Sequence, residues 1–171
     1  MRISWGQLPR QAEKNMLSSR KSPGGITVIK KAKDTDLQQV ARLAALLWPD
    51  HAAGELEEEL SALLEREDAA FFLAWGEDRP VGFAQCQLRR DYVEGTEHSP
   101  VGYLEGIFVE EPFRRRGLAG DLLSACEQWA AERGCREFAS DCELDNTQSQ
   151  IFHNALGFQE ANRIICFVKQ L

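Results

Sequence analysis

The sequence predicts a mixed α/β fold in which one mixed β-sheet carries helices on both faces. Three observations support this prediction. The chain has 171 residues, 43% of them hydrophobic and 27% charged, which suits one globular domain. Segments with strand alternation and segments with helical spacing follow each other in the order β-α-α-β-β-β-α-β-α-β. Because strands and helices do not alternate strictly, we expect antiparallel as well as parallel neighbours in the sheet.

The first half of the sequence predicts a strand, two helices and a hairpin. β-Branched residues alternate in ITVIKKA, which begins at Ile26, and this pattern predicts the first strand. Apolar residues at helical spacing predict a helix that Pro49 ends, and residues 55–67 predict a second helix with an acidic outer face. The apolar run AAFFLAW and the segment 80–90 flank a Gly-Glu-Asp turn, so they predict a hairpin.

The second half predicts three more strands and two more helices, after a polar loop. In order, these elements are strand 101–109, helix 117–133, strand 137–142, helix 146–156 and the strand RIICFVK at residues 163–169. An arginine-rich loop joins the first of these strands to the first helix.

Residues 1–25 differ from the rest of the chain. They have no sustained period and end in Ser-Pro-Gly-Gly, so we expect an N-terminal extension that is disordered or foreign to the natural chain, followed by one domain over residues 26–171. Five basic groups and one acid give the extension a net charge of +4, whereas 15 basic and 26 acidic groups give the domain −11. A body this acidic argues against nucleic-acid binding and attracts cations.

Cysteine and hydropathy patterns predict a cytoplasmic protein without a metal site or a membrane span. The five cysteines lack zinc-site spacing, and an odd number cannot pair completely within one chain, so we expect reduced thiols. The sequence contains neither a run of about 18 apolar residues nor the apolar core of a secretory signal.

The most informative stretch is the junction between the strand ending at Val109 and the next helix. It contains three arginines followed by Gly-Leu-Ala-Gly, residues 114–120. Glycines there let the backbone approach a ligand, and N–H groups at a helix N-terminus bind anions such as a pyrophosphate. The sequence has neither a P-loop nor a Gly-x-Gly-x-x-Gly motif. For the arginines alone, a solvated loop that caps the helix would be the favoured explanation.

Three separated features, however, agree on one family. The junction reads Arg-x-x-Gly-x-Ala, Asn146 follows the next strand, and Leu-Gly-Phe stands at residues 156–158. With the order of elements, they resemble the GNAT family of N-acetyltransferases over residues 26–171. The resemblance implies the GNAT fold with its splayed sheet, acetyl-CoA as co-substrate, and a homodimer.

The resemblance also implies which residues bind acetyl-CoA. Backbone groups at the strand end would bind the pantetheine arm, the arginine-rich loop would bind the pyrophosphate, and residues around the last helix would contact the arm. These residues are Ile107, Phe108, Val109, Arg114, Arg115, Arg116, Gly117, Leu118, Ala119, Gly120, Asn146 and His153.

Within the family, four blocks look most like the aminoglycoside 6'-N-acetyltransferases: LWPD, DYVEGTEHSPVGYLEGIFV, EFASDCELDN and LGFQEANRIICFVK. This resemblance implies acetyl transfer to the 6'-amine of these antibiotics, and hence resistance. The substrate-binding residues it implies are Trp48, Tyr92, Glu105 and Asp141, to which Glu160 and Asn162 are added with weaker support. Residues 91–111 contain six acids and no lysine or arginine, which agrees with a cationic substrate.

The chemistry requires a neutral amine that attacks a thioester carbonyl, and therefore a proton acceptor. We expect Asp141 to orient the amine and Glu105 to accept its proton, although the two roles are exchangeable. If their roles were structural instead, Glu105 would pair with an arginine and Asp141 would cap the following helix, and these roles would be favoured without the resemblance. His153 occupies the position at which many family members carry a tyrosine, and it either protonates the leaving thiolate or only packs beside the cofactor.

Two other functions stay open from the sequence. One is acetyl transfer by the same fold to a polyamine or to an amine of a protein. The other is a sensor that binds acyl-CoA without turnover. The intact acidic blocks make the sensor the least favoured of the three functions.

Overall fold

The computed structural model describes residues 28–171, so the predicted extension at residues 1–25 lies outside the described residues. The elements are β1 (Val28–Lys31), α1 (Leu37–Leu47), α2 (Ala53–Leu64), β2 (Ala69–Trp75), β3 (Pro80–Arg89), β4 (Val101–Val109), α3 (Leu118–Ala131), β5 (Phe138–Ser140) and α4 (Thr147–Ala155). Two short 3-10 turns precede α1 and α3. None of the helices within residues 28–171 has the length and apolar character needed to cross a bilayer.

The five strands form one mixed sheet, as the sequence predicts. Their order is β1-β2-β3-β4-β5, with antiparallel pairs throughout except for the parallel pair of β4 and β5. This last pairing joins residues 102–104 to 138–140 only. Residues 105–109 of β4 therefore continue past β5 without a strand partner on that side.

Helices cover both faces of the sheet, each over its own hydrophobic core. Helices α1 and α2 pack on one face through residues such as Leu43 and Leu60, which meet Phe83 of the sheet. Helix α3 packs on the other face, where Leu122 lies in one cluster with Ile107. The alternating side chains of the central strands supply both cores, which confirms the predicted arrangement.

The predicted last strand at residues 163–169 is wrong for the single chain. Residues 159–171 have no regular secondary structure, and the side chains of Ile165, Phe167 and Val168 are 81%, 91% and 96% exposed. A segment with high β-propensity forms a strand only where a neighbouring strand supplies hydrogen bonds and the sheet supplies a surface to pack on. No strand among residues 28–171 pairs with this segment, so its apolar run IICFV stays exposed.

Candidate active site

A groove of about 330 Å³ lies between the β4–α3 junction and α4. Seven of the residues predicted to bind the cofactor line it: Val109, Arg114, Arg115, Gly117, Leu118, Ala119 and Gly120. Residues of α4, among them Thr147 and Ile151, form its other wall. The sequence motif and the groove therefore coincide.

The backbone of the junction is shaped to present N–H groups. Arg115 has a φ of 61° and Gly117 a φ of 84°, both in the left-handed region. A Cβ at Gly117 would meet no atom within 4 Å, so it is the backbone conformation, and not lack of space, that requires glycine there. Left-handed residues just before a helix turn successive N–H groups toward one point, which is a site for an anion.

Two of the three arginines brace this loop. Arg114 Nε donates to the carbonyl of Val109 at 2.8 Å, and Arg116 donates to the carbonyl of Pro112 at 2.9 Å. These bonds hold the loop against the end of β4. Arg116 itself does not line the groove.

The other predicted cofactor residues lie beside the groove. Ile107 and Phe108 are buried in the two opposite cores, and neither side chain lines the groove. The side chain of Asn146 caps α4 by accepting a hydrogen bond from the backbone N–H of Ser149 at 3.0 Å.

His153 is packed between two aromatic rings, those of Phe152 and Phe158, at centroid distances of 5.3 and 4.9 Å. Its Nδ1 lies 2.8 Å from the carbonyl oxygen of Ser149, which can only accept, so Nδ1 carries the hydrogen. Nε2 is buried, with no hydrogen-bond partner within residues 28–171. Burial lowers the pKa of His153, which keeps the imidazole neutral.

A second cavity, of about 290 Å³, lies on the face of the sheet that α1 and α2 cover. Trp48 at the end of α1, Glu59 of α2, Gln85 and Gln87 of β3, and Glu105 of β4 line it. With His51, which also lines it, the cavity combines an indole and an imidazole with two carboxylates and two amides.

A β-bulge places Glu105 in this cavity. Leu104 pairs with Cys86 and Gly106 pairs with Gln85, so Glu105 is the extra residue between two consecutive pairs. Bulges of this kind redirect side chains and are frequent beside active sites. A Cβ on Gly106 would lie 2.7 Å from Trp48 Cζ2, so this glycine lets the indole pack directly on the strand.

Glu105 is paired with Arg89, the last residue of β3. The carboxyl residue is 9% exposed, and the guanidinium donates to both of its oxygens, at 2.9 and 3.0 Å. Burial raises the pKa of Glu105, while Arg89 acts in the opposite direction. The arginine pairing considered from the sequence is thus present, and it occurs inside a cavity.

Tyr103 connects the ion pair of Glu105 and Arg89 to Asp141. The guanidinium of Arg89 stacks on the ring of Tyr103 at 3.3 Å, and the Tyr103 hydroxyl donates to Asp141 Oδ1 at 2.5 Å. Burial and the Asp141 carboxylate raise the pKa of Tyr103, so the hydroxyl stays a donor. Asp141 does not cap α4, because Asn146 does.

Three further predicted substrate residues lie outside the cavity. Tyr92 is 80% exposed and donates to Glu94 at 2.8 Å, and Asn162 donates to the other oxygen of Glu94 at 3.0 Å. The carboxylate of Glu160 is held by Arg163 at 2.6 Å. The structure brings Tyr92 and Asn162 together on the carboxylate of Glu94, whereas Glu160 is paired with Arg163.

The sequence analysis missed Gln85, Gln87, Arg89 and Tyr103. A signal was available, because the strand FAQCQLR places polar residues at every second position while Ala84 and Cys86 belong to the core under α3.

Within residues 28–171, no group of three His, Cys, Asp or Glu side chains could hold a metal ion.

Comparisons with known proteins give one consistent result. The model of the acetyltransferase (GNAT) family matches residues 40–158. Aminoglycoside N(6')-acetyltransferase type 1 of Salmonella enteritidis is 40% identical over 142 residues, which cover 83% of this chain and 98% of that protein. The protein of the same name from Stenotrophomonas maltophilia is 41% identical over 139 residues, which cover 81% of this chain and 90% of that protein.

Solved structures agree with these relatives. Aminoglycoside N-acetyltransferase AAC(6')-Iy in complex with CoA superposes with a TM-score of 0.84 at 39% identity, covering 88% of this chain and 100% of that one. The same enzyme in complex with the bisubstrate analogue CoA-S-monomethyl-acetylneamine gives a TM-score of 0.82 at 39% identity, covering 85% and 99%.

Proposed function

The chain belongs to the GNAT acetyltransferase family, and we propose on this premise that it transfers the acetyl group of acetyl-CoA to the 6'-amino group of aminoglycoside antibiotics, which inactivates them. One observation carries the proposal. A groove whose backbone conformation favours an anion and a cavity with two carboxylates lie at the two sides of β4, in a chain about 40% identical to aminoglycoside N(6')-acetyltransferases.

Acetyl-CoA is assigned to the groove at the β4–α3 junction. The N–H groups from Arg115 to Gly120 would hold its pyrophosphate, since the left-handed backbone and the helix N-terminus both favour an anion there. The edge of β4 beyond β5, which no strand covers there, would offer backbone hydrogen bonds to the amides of the pantetheine arm.

The reactive amine is assigned to the side of Glu105 and Asp141. Asp141 would orient the amine, and Glu105 would accept its proton as the nitrogen bonds to the thioester carbon and the carbon–sulfur bond breaks. A carboxylate with a raised pKa is a better base than an ordinary one, which favours Glu105 for this role. Arg89 limits that rise and holds the carboxylate in place.

His153 is assigned to packing beside the cofactor. Protonation of the thiolate would need an imidazolium, which burial between two rings disfavours. The acid role predicted from the sequence has less support than this one, and coenzyme A thiolate is a good enough leaving group to depart unaided.

The outer part of the antibiotic is assigned to the cluster of Tyr92, Glu94 and Asn162. Glu94 is an exposed carboxylate that these two side chains orient, and an ammonium group on a distal ring would pair with it. Glu160 would join only by exchanging its present partner, Arg163.

We also propose that the enzyme is a homodimer. Residues 159–171 carry five exposed large apolar side chains, namely Ile164, Ile165, Phe167, Val168 and Leu171. Pairing with a second copy would bury them, and exposed apolar patches commonly mark such protein–protein interfaces. Light scattering should give twice the chain mass, and deletion of residues 164–171 should give the monomer mass.

The proposed compartment is the cytoplasm, where acetyl-CoA is available. The cysteines at positions 86, 126, 135, 142 and 166 are all free thiols, which suits a reducing compartment.

The test is a coenzyme A release assay with kanamycin A, spermidine and a lysine peptide as acceptors. We expect release with kanamycin A at the highest kcat/KM, and NMR of the product should locate the acetyl group on the 6'-nitrogen. A higher kcat/KM with spermidine or the peptide would replace the proposed substrate. Tight binding of acetyl-CoA without release for any acceptor would indicate a sensor.

A further inference from the structure

One buried polar side chain in the acidic cavity has no task in the reaction described above. Gln85 is 5% exposed, and it lines the cavity together with Trp48 and Glu105. Its amide forms no hydrogen bond with any side chain or backbone group among residues 28–171. Buried amides are almost always hydrogen-bonded, so an amide that faces a cavity without a partner is a group prepared for a ligand.

The strand explains why this amide points where it does. Every second residue of β3 points to the same face of the sheet, and one face carries Phe83, Gln85, Gln87 and Arg89. Phe83 is packed in the core under α1 and α2. The face thus changes from apolar to polar just where the two helices leave room for the cavity. Gln85 stands opposite Gly106, the neighbour of Glu105, so the amide and the carboxylate are adjacent in the sheet.

The chemistry of the pair suggests its ligand. A carboxylate beside an aromatic face suits an ammonium group on a sugar ring. A primary amide donates and accepts at once, which matches a hydroxyl group. A ring that carries its amine toward Glu105 presents its hydroxyls to the neighbouring strand position, which is Gln85.

We propose that Gln85 is a specificity-determining residue that hydrogen-bonds a ring hydroxyl of the sugar carrying the reactive amine. This inference rests on the proposed function and deepens it. A site built to bond a hydroxyl discriminates against the analogue that lacks it, because the buried amide is then left without a partner.

The test combines one substitution with one substrate series: kanamycin B, its 3'-deoxy analogue tobramycin, and its 3',4'-dideoxy analogue dibekacin. All three keep the 6'-amine. For the wild-type enzyme, we expect kcat/KM to fall about tenfold at the step that removes the bonded hydroxyl. For Gln85→Met, kcat/KM with kanamycin B should already be about tenfold lower and should not fall further along the series.

Two controls separate this contact from a folding defect. Gln85→Met should unfold at the same or a higher temperature, since it removes a buried amide without a partner, and its KM for acetyl-CoA should be unchanged. Gln85→Leu should repeat the kinetic result. Gln128→Met makes the same change at an exposed position of α3, where the amide binds Glu132, and should behave like the wild type.

Each result decides one claim. If Gln85→Met keeps the wild-type kcat/KM for kanamycin B, or falls along the series as steeply as the wild type, the inference is overturned. If the wild type releases no coenzyme A with kanamycin B, the proposed function fails. Calorimetry without acetyl-CoA then decides the role of Gln85, since kanamycin B should still bind Gln85→Met about tenfold more weakly.

Discussion

The cofactor groove and the amine cavity lie on either side of β4, but they are built from different parts of the chain. The groove depends mainly on backbone N–H groups of one continuous segment, residues 114–120, with a left-handed turn that only a few residues tolerate. The cavity depends on side chains from the end of α1 and from α2, β3 and β4, and Arg89 and Tyr103 connect its Glu105 to Asp141 after β5. Backbone recognition is therefore local, whereas the amine site is assembled by the fold.

The largest expected effect belongs to the amine cavity. Glu105→Gln should lower kcat/KM for kanamycin A about 1000-fold, because the proton acceptor is lost, and should leave the KM for acetyl-CoA unchanged. Glu57→Gln removes the same charge from the exposed face of α2 and should have little effect on either constant. Initial rates with each substrate varied in turn measure both. A loss below about tenfold would remove Glu105 from the base role.

The groove should respond to backbone strain instead. Gly117→Ala forces a Cβ onto a residue with a φ of 84°, and the KM for acetyl-CoA should rise about tenfold. Gly134→Ala is the matched control, because Gly134 has a φ of 88° after α3 but lies outside the groove. It should lower the melting temperature without changing this KM. If both variants raised the KM alike, the groove would not depend on the conformation of the loop.

The pH dependence of kcat/KM tests whether Glu105 is the base in the amine cavity. The base must be ionised, so kcat/KM falls as the pH drops through the pKa of Glu105. Burial raises this pKa and Arg89 lowers it, so Arg89→Met should move the acidic limb to higher pH. We expect a shift of about one pH unit, because Arg89 is 41% exposed and water screens the pair. Arg89→Lys should restore part of it, and an unmoved limb would show that Glu105 is not the titrating base.

Ionic strength should separate the two ligands by a smaller effect. The domain carries a net charge of −11, which attracts a polycationic antibiotic and repels anionic acetyl-CoA. Raising the salt from about 0.05 M to about 0.5 M should lower kcat/KM for kanamycin A about threefold and should not lower it for acetyl-CoA. Equal decreases for both substrates would point to a general effect of salt on the enzyme.

The smallest effect is expected at His153, between the two regions. His153→Phe keeps the ring contacts with Phe152 and Phe158, so kcat should change less than about threefold if the histidine only packs. A loss of about 100-fold would restore the general-acid role.

The residues that could be predicted from the sequence differ between the groove and the cavity in the same way. In the groove, seven lining residues between Val109 and Gly120 were predicted, because their motif is contiguous in the sequence, whereas the wall that α4 supplies through Thr147 and Ile151 was not. In the cavity, Trp48 and Glu105 were predicted, but Arg89 and Gln85 were not, since their importance depends on which strands become neighbours. The helices and central strands have local patterns that predict them, whereas RIICFVK has the pattern of a strand without a neighbour in its own chain.

The most direct test of the account is the comparison of neomycin B with paromomycin, which replaces the 6'-amine by a hydroxyl and keeps the rest of the molecule. The two molecules share the same rings and differ only at the 6'-position, where paromomycin has a hydroxyl and therefore one positive charge fewer. We predict coenzyme A release with neomycin B and a rate at least about 100-fold lower with paromomycin. Equal rates would contradict transfer to the 6'-nitrogen and would place another amine between Glu105 and Asp141.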